Sequence, residues 1–112
     1  MKKKRTKALE IPMNVKKAVA KRDSFGGWTC CVFCGTPAPT NNPLAFSCAH
    51  ILRRSQGGRG IETNIVTLCW ECHKKFDGSD ESKQIMSVVT QYMKRHYGNA
   101  WSVQEQEYKK GE

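Results

Sequence analysis

The sequence contains no long hydrophobic run. None of its apolar stretches approaches the roughly 20 residues that a transmembrane helix needs, and the mean hydropathy of the 112 residues is −0.63. The basic segment MKKKRTKALE at the N-terminus is not followed by an apolar core, so a signal peptide is not expected. These absences argue against a membrane protein and against a secreted protein held together by disulfides.

Acidic residues are scarce as well. Asp and Glu number 10 against 19 Lys and Arg, which gives a formal net charge of +9. Nine of the basic residues fall within residues 1–22, where Glu10 is the sole acid. An excess of this size favours a nucleic-acid partner, although a protein that is merely highly soluble has a similar balance.

Six cysteines are present, and four of them form two Cys-x2-Cys pairs. Four thiolates from two such knuckles are the usual ligands of a closed tetrahedral zinc site, and the alternative is four free thiols. Cys30 would give the less usual spacing Cys-x3-Cys, and Cys48 is expected to be a small buried residue in a strand. The pairs therefore predict one structural Zn²⁺ bound by Cys31, Cys34, Cys69 and Cys72.

One small domain with flanking segments accounts for the length of the chain. Residues 1–11 are predicted to be a flexible basic arm, 12–101 the folded domain, and 102–112 a polar, frayed C-terminal tail. Within the domain, hydrophobic periodicity and turn residues predict helices, strands and a glycine-rich loop. The predicted helices cover residues 12–23 and 82–98, and residues 73–77 are the start of another. The predicted strands cover residues 44–52 and 64–68, and residues 53–63 form the loop.

Histidine is rare, since the chain has only three. His73 follows a predicted zinc ligand, and neighbouring side chains on a helix point about 100° apart, so His73 is expected to face away from the zinc. His73 and Asp77 are four residues apart on one helix face, which suits two ligands of a different metal ion. His50 and Asn64 belong to the two strands, and a hairpin folded on the helix would bring them to the same cleft. His96 lies at the edge of an apolar helix stripe and is assigned no chemistry.

Such a cleft has the components for phosphodiester hydrolysis. A metal ion clamps the scissile phosphate and stabilises the leaving alkoxide. A neutral histidine opposite takes a proton from the attacking water. Each residue also has a simpler interpretation, as a buried strand histidine, a helix-surface histidine, a turn asparagine or a solvated acid at a helix end.

The segment CVFCG…AHILRRSQGGRGIETNIVTLCWECHKKFD, within residues 31–77, resembles the HNH endonuclease family in its four-cysteine zinc form. The preceding VKKAVAKRD is similar to the helix that often leads into this motif. The resemblance implies an α+β fold class: a small zinc-stapled ββα-metal domain with flanking helices, like the small HNH nucleases of phages.

The resemblance also implies a role for each matching residue. His50 resembles the general base that activates water, Asn64 the middle residue that orients the base or approaches the metal, and His73 a metal ligand. Asp77 falls where some members place a further ligand. Asp or His commonly precedes the base, whereas this chain has Ala49. Fewer protein ligands are therefore expected, with water and phosphate completing the coordination of Mg²⁺ or Mn²⁺.

Basic residues around the predicted cleft are candidate clamps on the DNA backbone, although they also fit a solvated basic face. The resemblance implies an approach through the minor groove, and the sequence has no obvious base-reading helix, so low sequence specificity is expected. It further implies action in the cytoplasm, with phage packaging proteins as partners if the chain is phage-encoded. The candidate DNA-binding residues are Arg53, Arg54, Arg59, Lys74 and Lys75.

The function predicted from the sequence is that of a metal-dependent DNA endonuclease that nicks or cuts both strands. The alternative is a non-catalytic, zinc-stapled module that binds DNA or RNA, and Ala49 is the feature that favours it. A third interpretation is an interaction partner within a larger complex.

Overall fold

The fold is built around a two-stranded antiparallel sheet and the helix that follows it in sequence. The structure is a computed structural model that describes residues 4–40, 42 and 44–109. None of the helices in these ranges has the length and apolar character needed to cross a membrane. The helices are α1 (Lys4–Leu9), α2 (Met13–Arg22), α3 (Trp70–Gly78) and α4 (Ser82–Tyr97), and the strands are β1 (Ser24–Phe25), β2 (Trp28–Thr29), β3 (Ser47–His50) and β4 (Ile65–Leu68).

The sheet that matters for the site pairs β3 with β4, with Ser47 opposite Leu68. β4 has the sequence IVTL and is buried at all four positions, as expected for a β-branched and apolar strand. Side chains alternate along β3. Ala49 therefore packs in the core at 1 % exposure, while Cys48 and His50, on the other face, line a pocket. Both predicted strands are confirmed, and each is shorter than predicted.

Helix α4 covers the core and confirms the helix predicted over 82–98. Val88 is 38 % exposed and His96 is also exposed, so the buried stripe is narrower than the predicted one. Gly98 ends the helix with a φ of 100°, a conformation that favours glycine. The buried positions recur at i, i+4 and i+8 and are Ile85, Val89 and Met93.

A buried ion pair fixes α2 and α4 against the sheet. The side chains of Arg22 and Asp23 are 7 % and 0 % exposed, and Arg22 Nε lies 2.7 Å from Asp23 Oδ1. Arg22 Nη2 donates to the carbonyl of Ile65, Asp23 Oδ2 accepts from the N–H of Thr67, and the hydroxyl of Tyr92 donates to Asp23 Oδ1. Because the charge of Arg22 is paired inside the fold, Arg22 does not contribute to the basic surface.

The N-terminal segment is folded where the sequence predicted a flexible arm. Residues 4–9 form α1, and Leu9 at its end is 2 % exposed. The N–H of Gly60 donates to a carbonyl of this helix. A Cβ at Gly60 would lie 1.8 Å from the carbonyl oxygen of Glu10, so the close approach requires glycine. The burial of Leu9 and the backbone contacts with Gly60 thus hold the segment on the fold, and residues 1–3 lie outside the described ranges.

The described part of the predicted tail also packs against the loop. Gln104–Gln106 form a 3-10 turn, and the side chain of Gln106 is buried at 4 % exposure. The N–H of Tyr108 donates to the carbonyl of Gly57 over 2.7 Å. Residues 102–109 are therefore held by hydrogen bonds, in contrast to the frayed tail that was predicted, and residues 110–112 lie outside the description.

Candidate active site and metal centre

The two Cys-x2-Cys pairs come together in space. Their four sulfur atoms all lie within 4.8 Å of one another, and Cys34 Sγ is 3.7 Å from Cys69 Sγ. Sulfur atoms at about 2.3 Å from one tetrahedral zinc ion are about 3.8 Å apart, so the spacing fits zinc. Burial raises the pKa of the Cys72 thiol. Burial also acts to raise the pKa of Cys34, but hydrogen bonds with Thr36, Cys31 and Cys72 together outweigh it and lower that pKa to about 7.

The other two cysteines lie outside this cluster. Cys30, the neighbour of Cys31, directs its sulfur at the carbonyl of Trp28. The sequence predicted a buried Cys48, but its side chain is only partly buried, and it lines the pocket beside His50. The side chain of Cys48 is only partly buried because it alternates along β3 with Ala49, which occupies the core side of the strand.

Strand β3 and helix α3 form the two sides of a pocket that contains both predicted catalytic histidines. Its volume is about 300 Å³. Charged and polar side chains dominate its lining, which suits a hydrated ion or a phosphate better than an apolar ligand. The lining residues are Cys48, His50, Arg53, Arg54, Ser55, His73 and Asp77.

His73 is directed away from the cysteine cluster, as predicted from its position after Cys72. Its Nε2 lies 3.3 Å from Asp77 Oδ2, one helical turn further on, and its Nδ1 lies 2.8 Å from Ser47 Oγ. Two ligand atoms at right angles on an ion about 2.1 Å away would be about 3.0 Å apart, so the pair fits adjacent positions on one divalent ion. Ala49 adds no ligand, because it has no donor atom and its side chain is in the core.

His50 is held by the N-terminal segment. Its Nε2 lies 2.8 Å from the carbonyl oxygen of Leu9. A carbonyl only accepts hydrogen bonds, so Nε2 carries the proton and Nδ1 of the neutral ring carries the lone pair. Burial lowers the pKa of His50, the Leu9 carbonyl opposes that shift, and Arg54 and His73 add to it. The ring is therefore neutral at neutral pH, which is the form that accepts a proton.

Asn64 does not line the pocket. Its side chain is fully buried at 0 % exposure, at the end of the turn before β4. The side-chain oxygen accepts from the N–H of Leu52, and the side-chain nitrogen donates to the carbonyls of Leu52 and Arg59. Asn64 thus closes the loop that follows His50, and any effect on the base passes through the backbone.

Three of the five predicted DNA clamps are engaged within the protein, and two of these are Arg53 and Arg59. Arg53 lines the pocket, but its guanidinium donates to the carbonyls of Phe76 and Asp77 at the end of α3. Arg59 donates to backbone carbonyls of the C-terminal turn, including that of Gln106. Both side chains therefore fix elements around the pocket as well as adding positive charge.

Of the remaining three basic residues, one is ion-paired within the protein and two are not. Lys75 forms ion pairs with Glu71 and Glu81, at 3.5 and 3.6 Å. Within residues 4–40, 42 and 44–109, no hydrogen bond or ion pair engages the guanidinium of Arg54 or the ammonium of Lys74, and both residues are exposed. Arg54 borders the pocket, so it is the residue best placed to meet a phosphate.

Two groups in this site were not predicted from the sequence. Ser47 contacts His73, and the Leu9 carbonyl contacts His50. No sequence signal marks a backbone carbonyl. Alternation along β3 places Ser47 on the face opposite His50, so its contact with His73 is visible only once α3 is packed on the sheet.

A two-stranded sheet and a helix present histidines to one pocket, and the same helix carries part of a cluster of four cysteines that could hold a metal ion. A family model described as HNH endonuclease matches residues 31–87, just over half of the chain. The chain belongs to the HNH endonuclease family, and the family and the α+β fold predicted from the sequence are confirmed. A search of curated proteins finds no match to the chain.

Proposed function

We propose that this protein is a metal-dependent endonuclease that hydrolyses DNA phosphodiester bonds, with His50 as the general base. The observation that supports this best is the pairing, in one pocket, of a neutral histidine with a His–Asp pair spaced for a divalent ion. The family membership and the net charge of +9 support a nucleic-acid substrate.

His73 and Asp77 would hold the catalytic ion, with water and substrate phosphate as its other ligands. One imidazole and one carboxylate in an otherwise water-filled shell suit Mg²⁺ or Mn²⁺. When bound, such an ion polarises the phosphate and neutralises charge on the leaving oxygen. The four cysteines would hold a structural Zn²⁺, since a closed set of four thiolates leaves no open position for substrate.

The role of His50 follows from its hydrogen bond to Leu9. With the proton fixed on Nε2, Nδ1 accepts a proton from the attacking water. The water oxygen bonds to phosphorus as the bond to the leaving oxygen breaks. The half-buried ring and its hydrogen bond to the Leu9 carbonyl fix the orientation of His50, which supports this role.

Arg54 and Lys74 would neutralise phosphates on either side of the scissile bond. Neither is paired within the described residues, so binding DNA would not break an internal ion pair. Contact with phosphates alone would give low sequence specificity and a steep salt dependence. The family resemblance supports entry through the minor groove and, if the chain is phage-encoded, phage packaging proteins as partners and the host cytoplasm as location.

A nicking assay on supercoiled plasmid tests the proposal. Wild-type protein with Mg²⁺ or Mn²⁺ should convert the plasmid to open circles or linear DNA, and EDTA should stop it. His50→Ala should lose the activity by a factor of about 10² to 10⁴, the usual contribution of a general base. His96→Ala is the matched control, because it removes the one histidine outside the pocket.

The second candidate is a DNA- or RNA-binding module without catalysis. The buried Ala49 favours it, because the strand then adds no ligand to the ion held by His73 and Asp77. If neither wild type nor His50→Ala converts the plasmid above background in any metal, while both proteins still bind DNA, the nuclease proposal is wrong and this module is the function.

A further inference from the structure

We propose that Ser47 is a positioning residue that fixes the tautomer of His73, so that Nε2 presents its lone pair beside Asp77. The inference deepens the proposed function, since it concerns how this chain prepares its own ligands for the catalytic ion. It stands on the hydrogen bonds among Ser47, Leu68 and His73.

The Ser47 hydroxyl has a single proton to donate. Ser47 Oγ lies 2.8 Å from the carbonyl oxygen of Leu68 and 2.8 Å from Nδ1 of His73. A carbonyl has no proton to give, so the hydroxyl donates to Leu68. The hydroxyl oxygen is then the acceptor for His73, and Nδ1 must carry the proton. In the neutral ring, Nε2 is left with the lone pair.

That lone pair faces a carboxylate. Nε2 of His73 lies 3.3 Å from Asp77 Oδ2, and two acceptors at this distance repel each other unless a cation is shared between them. The other tautomer would place a proton on Nε2, and a hydrogen bond to Asp77 would then satisfy both groups. By excluding that tautomer, Ser47 keeps both ligand atoms available for a divalent ion.

The position of Ser47 gives this hydrogen bond its stability. Ser47 begins β3 and pairs with Leu68 across the sheet. Leu68 precedes Cys69, which caps the first turn of α3 and accepts from the N–H of His73. The serine, the carbonyl and the imidazole are therefore fixed to one another by the sheet and by the start of the helix.

The tautomer can be measured directly in zinc-loaded protein without the catalytic ion. We expect ¹⁵N NMR of the imidazole rings, at a pH where an ordinary histidine is neutral, to show a protonated Nδ1 and an unprotonated Nε2 at His73. This experiment needs no variant and no activity. A protonated Nε2 in wild-type protein would overturn the inference at once.

Substitution tests the role of the hydroxyl. Ser47→Ala should give a mixture of tautomers at His73 and weaken Mn²⁺ binding, measured by calorimetry on zinc-loaded protein, by about 10- to 100-fold. Ser47→Thr keeps the hydroxyl in a residue suited to a strand and should retain the wild-type tautomer. Ser87→Ala, the same change at an exposed position of α4, should leave both measurements unchanged. Equal tautomers and equal Mn²⁺ affinity in wild type and Ser47→Ala would refute the inference.

The results separate this inference from the proposed function. If Ser47 controls the tautomer and Mn²⁺ affinity but no plasmid is cut, the ligand positioning stands and the nuclease proposal fails. If the plasmid is cut but Ser47→Ala changes neither the tautomer of His73 nor the Mn²⁺ affinity, the nuclease proposal stands and the proposed role of Ser47 is wrong.

Discussion

The buried amide of Asn64 allows a sharp test of whether this residue acts in the chemistry or in the fold. The substitution Asn64→Asp preserves the shape of the side chain and the acceptor for the N–H of Leu52. It replaces the amide nitrogen, which donates over 3.2 Å to Leu52 O and 2.8 Å to Arg59 O, by an oxygen. Two donated hydrogen bonds are thereby exchanged for two contacts between acceptors.

The structure sets the size of the effect. Each of the two lost hydrogen bonds leaves an acceptor without its donor, at a cost of about 1–3 kcal/mol, so the free energy of unfolding should fall by about 2–6 kcal/mol. For a domain of this size that corresponds to a fall in Tm of roughly 10–20 °C. Because the site is fully buried, the pKa of the introduced carboxyl group should rise. The loss of stability should therefore be largest at neutral pH and should diminish as the pH falls toward 4.

Thermal unfolding followed by circular dichroism at two pH values measures this, with Asn99→Asp as the exposed, matched control. A ligand or an orienting group in direct contact with the reacting atoms would give a different result. If Asn64→Asp keeps the wild-type Tm but loses plasmid cleavage, the amide acts in the chemistry, and our assignment of Asn64 to the loop is wrong.

Three further predictions concern the metal, the substrate and the proton. Cys31→Ser should lower the zinc content, measured by atomic absorption, and lower Tm by roughly 10 °C or more. Cys30→Ser should change neither, and equal zinc contents in the two variants would contradict the four-cysteine site. Arg54→Ala should reduce the slope of log binding constant against log salt by about 0.9, the value of one phosphate contact, while Lys75→Ala should change it less, because Lys75 is already ion-paired. Cleavage should fall as the pH is lowered, because the base must be neutral. Burial lowers the pKa of His50, so the rate should be half-maximal at a pH below 6.5. A midpoint above pH 7 would argue against His50 as the base.

Local patterns in the sequence predicted the parts of this protein that local physics determines. Two Cys-x2-Cys pairs identified the cysteine cluster, and hydrophobic periodicity placed the helices that became α2 and α4. The spacing of His73 and Asp77 predicted a shared helix face, and the two atoms are found 3.3 Å apart. Each of these inferences needed only the period of a helix or the geometry of one ion.

What the sequence did not predict depends on contacts between distant segments. The order of α1 comes from the approach of Gly60 to Glu10. This contact joins two backbone segments, so no side-chain pattern in the sequence predicts it. The same approach positions the carbonyl of Leu9 that holds His50. Likewise, composition cannot distinguish the paired Lys75 from the unpaired Arg54, since pairing depends on where the acids fall after folding.

Helix α3 links the cysteine cluster to the histidine pocket. Cys72 and His73 are adjacent, so an ion held by the cysteines and an ion held by His73 lie on faces of the same helix turn about 100° apart. The first turn of α3 is fixed by Cys69, and its last carbonyls accept from the guanidinium of Arg53. A helix of nine residues held at both ends has little freedom to rotate. The placement of His73 against His50 is therefore set by these two ends, which explains how an ion that takes no part in hydrolysis would still control it.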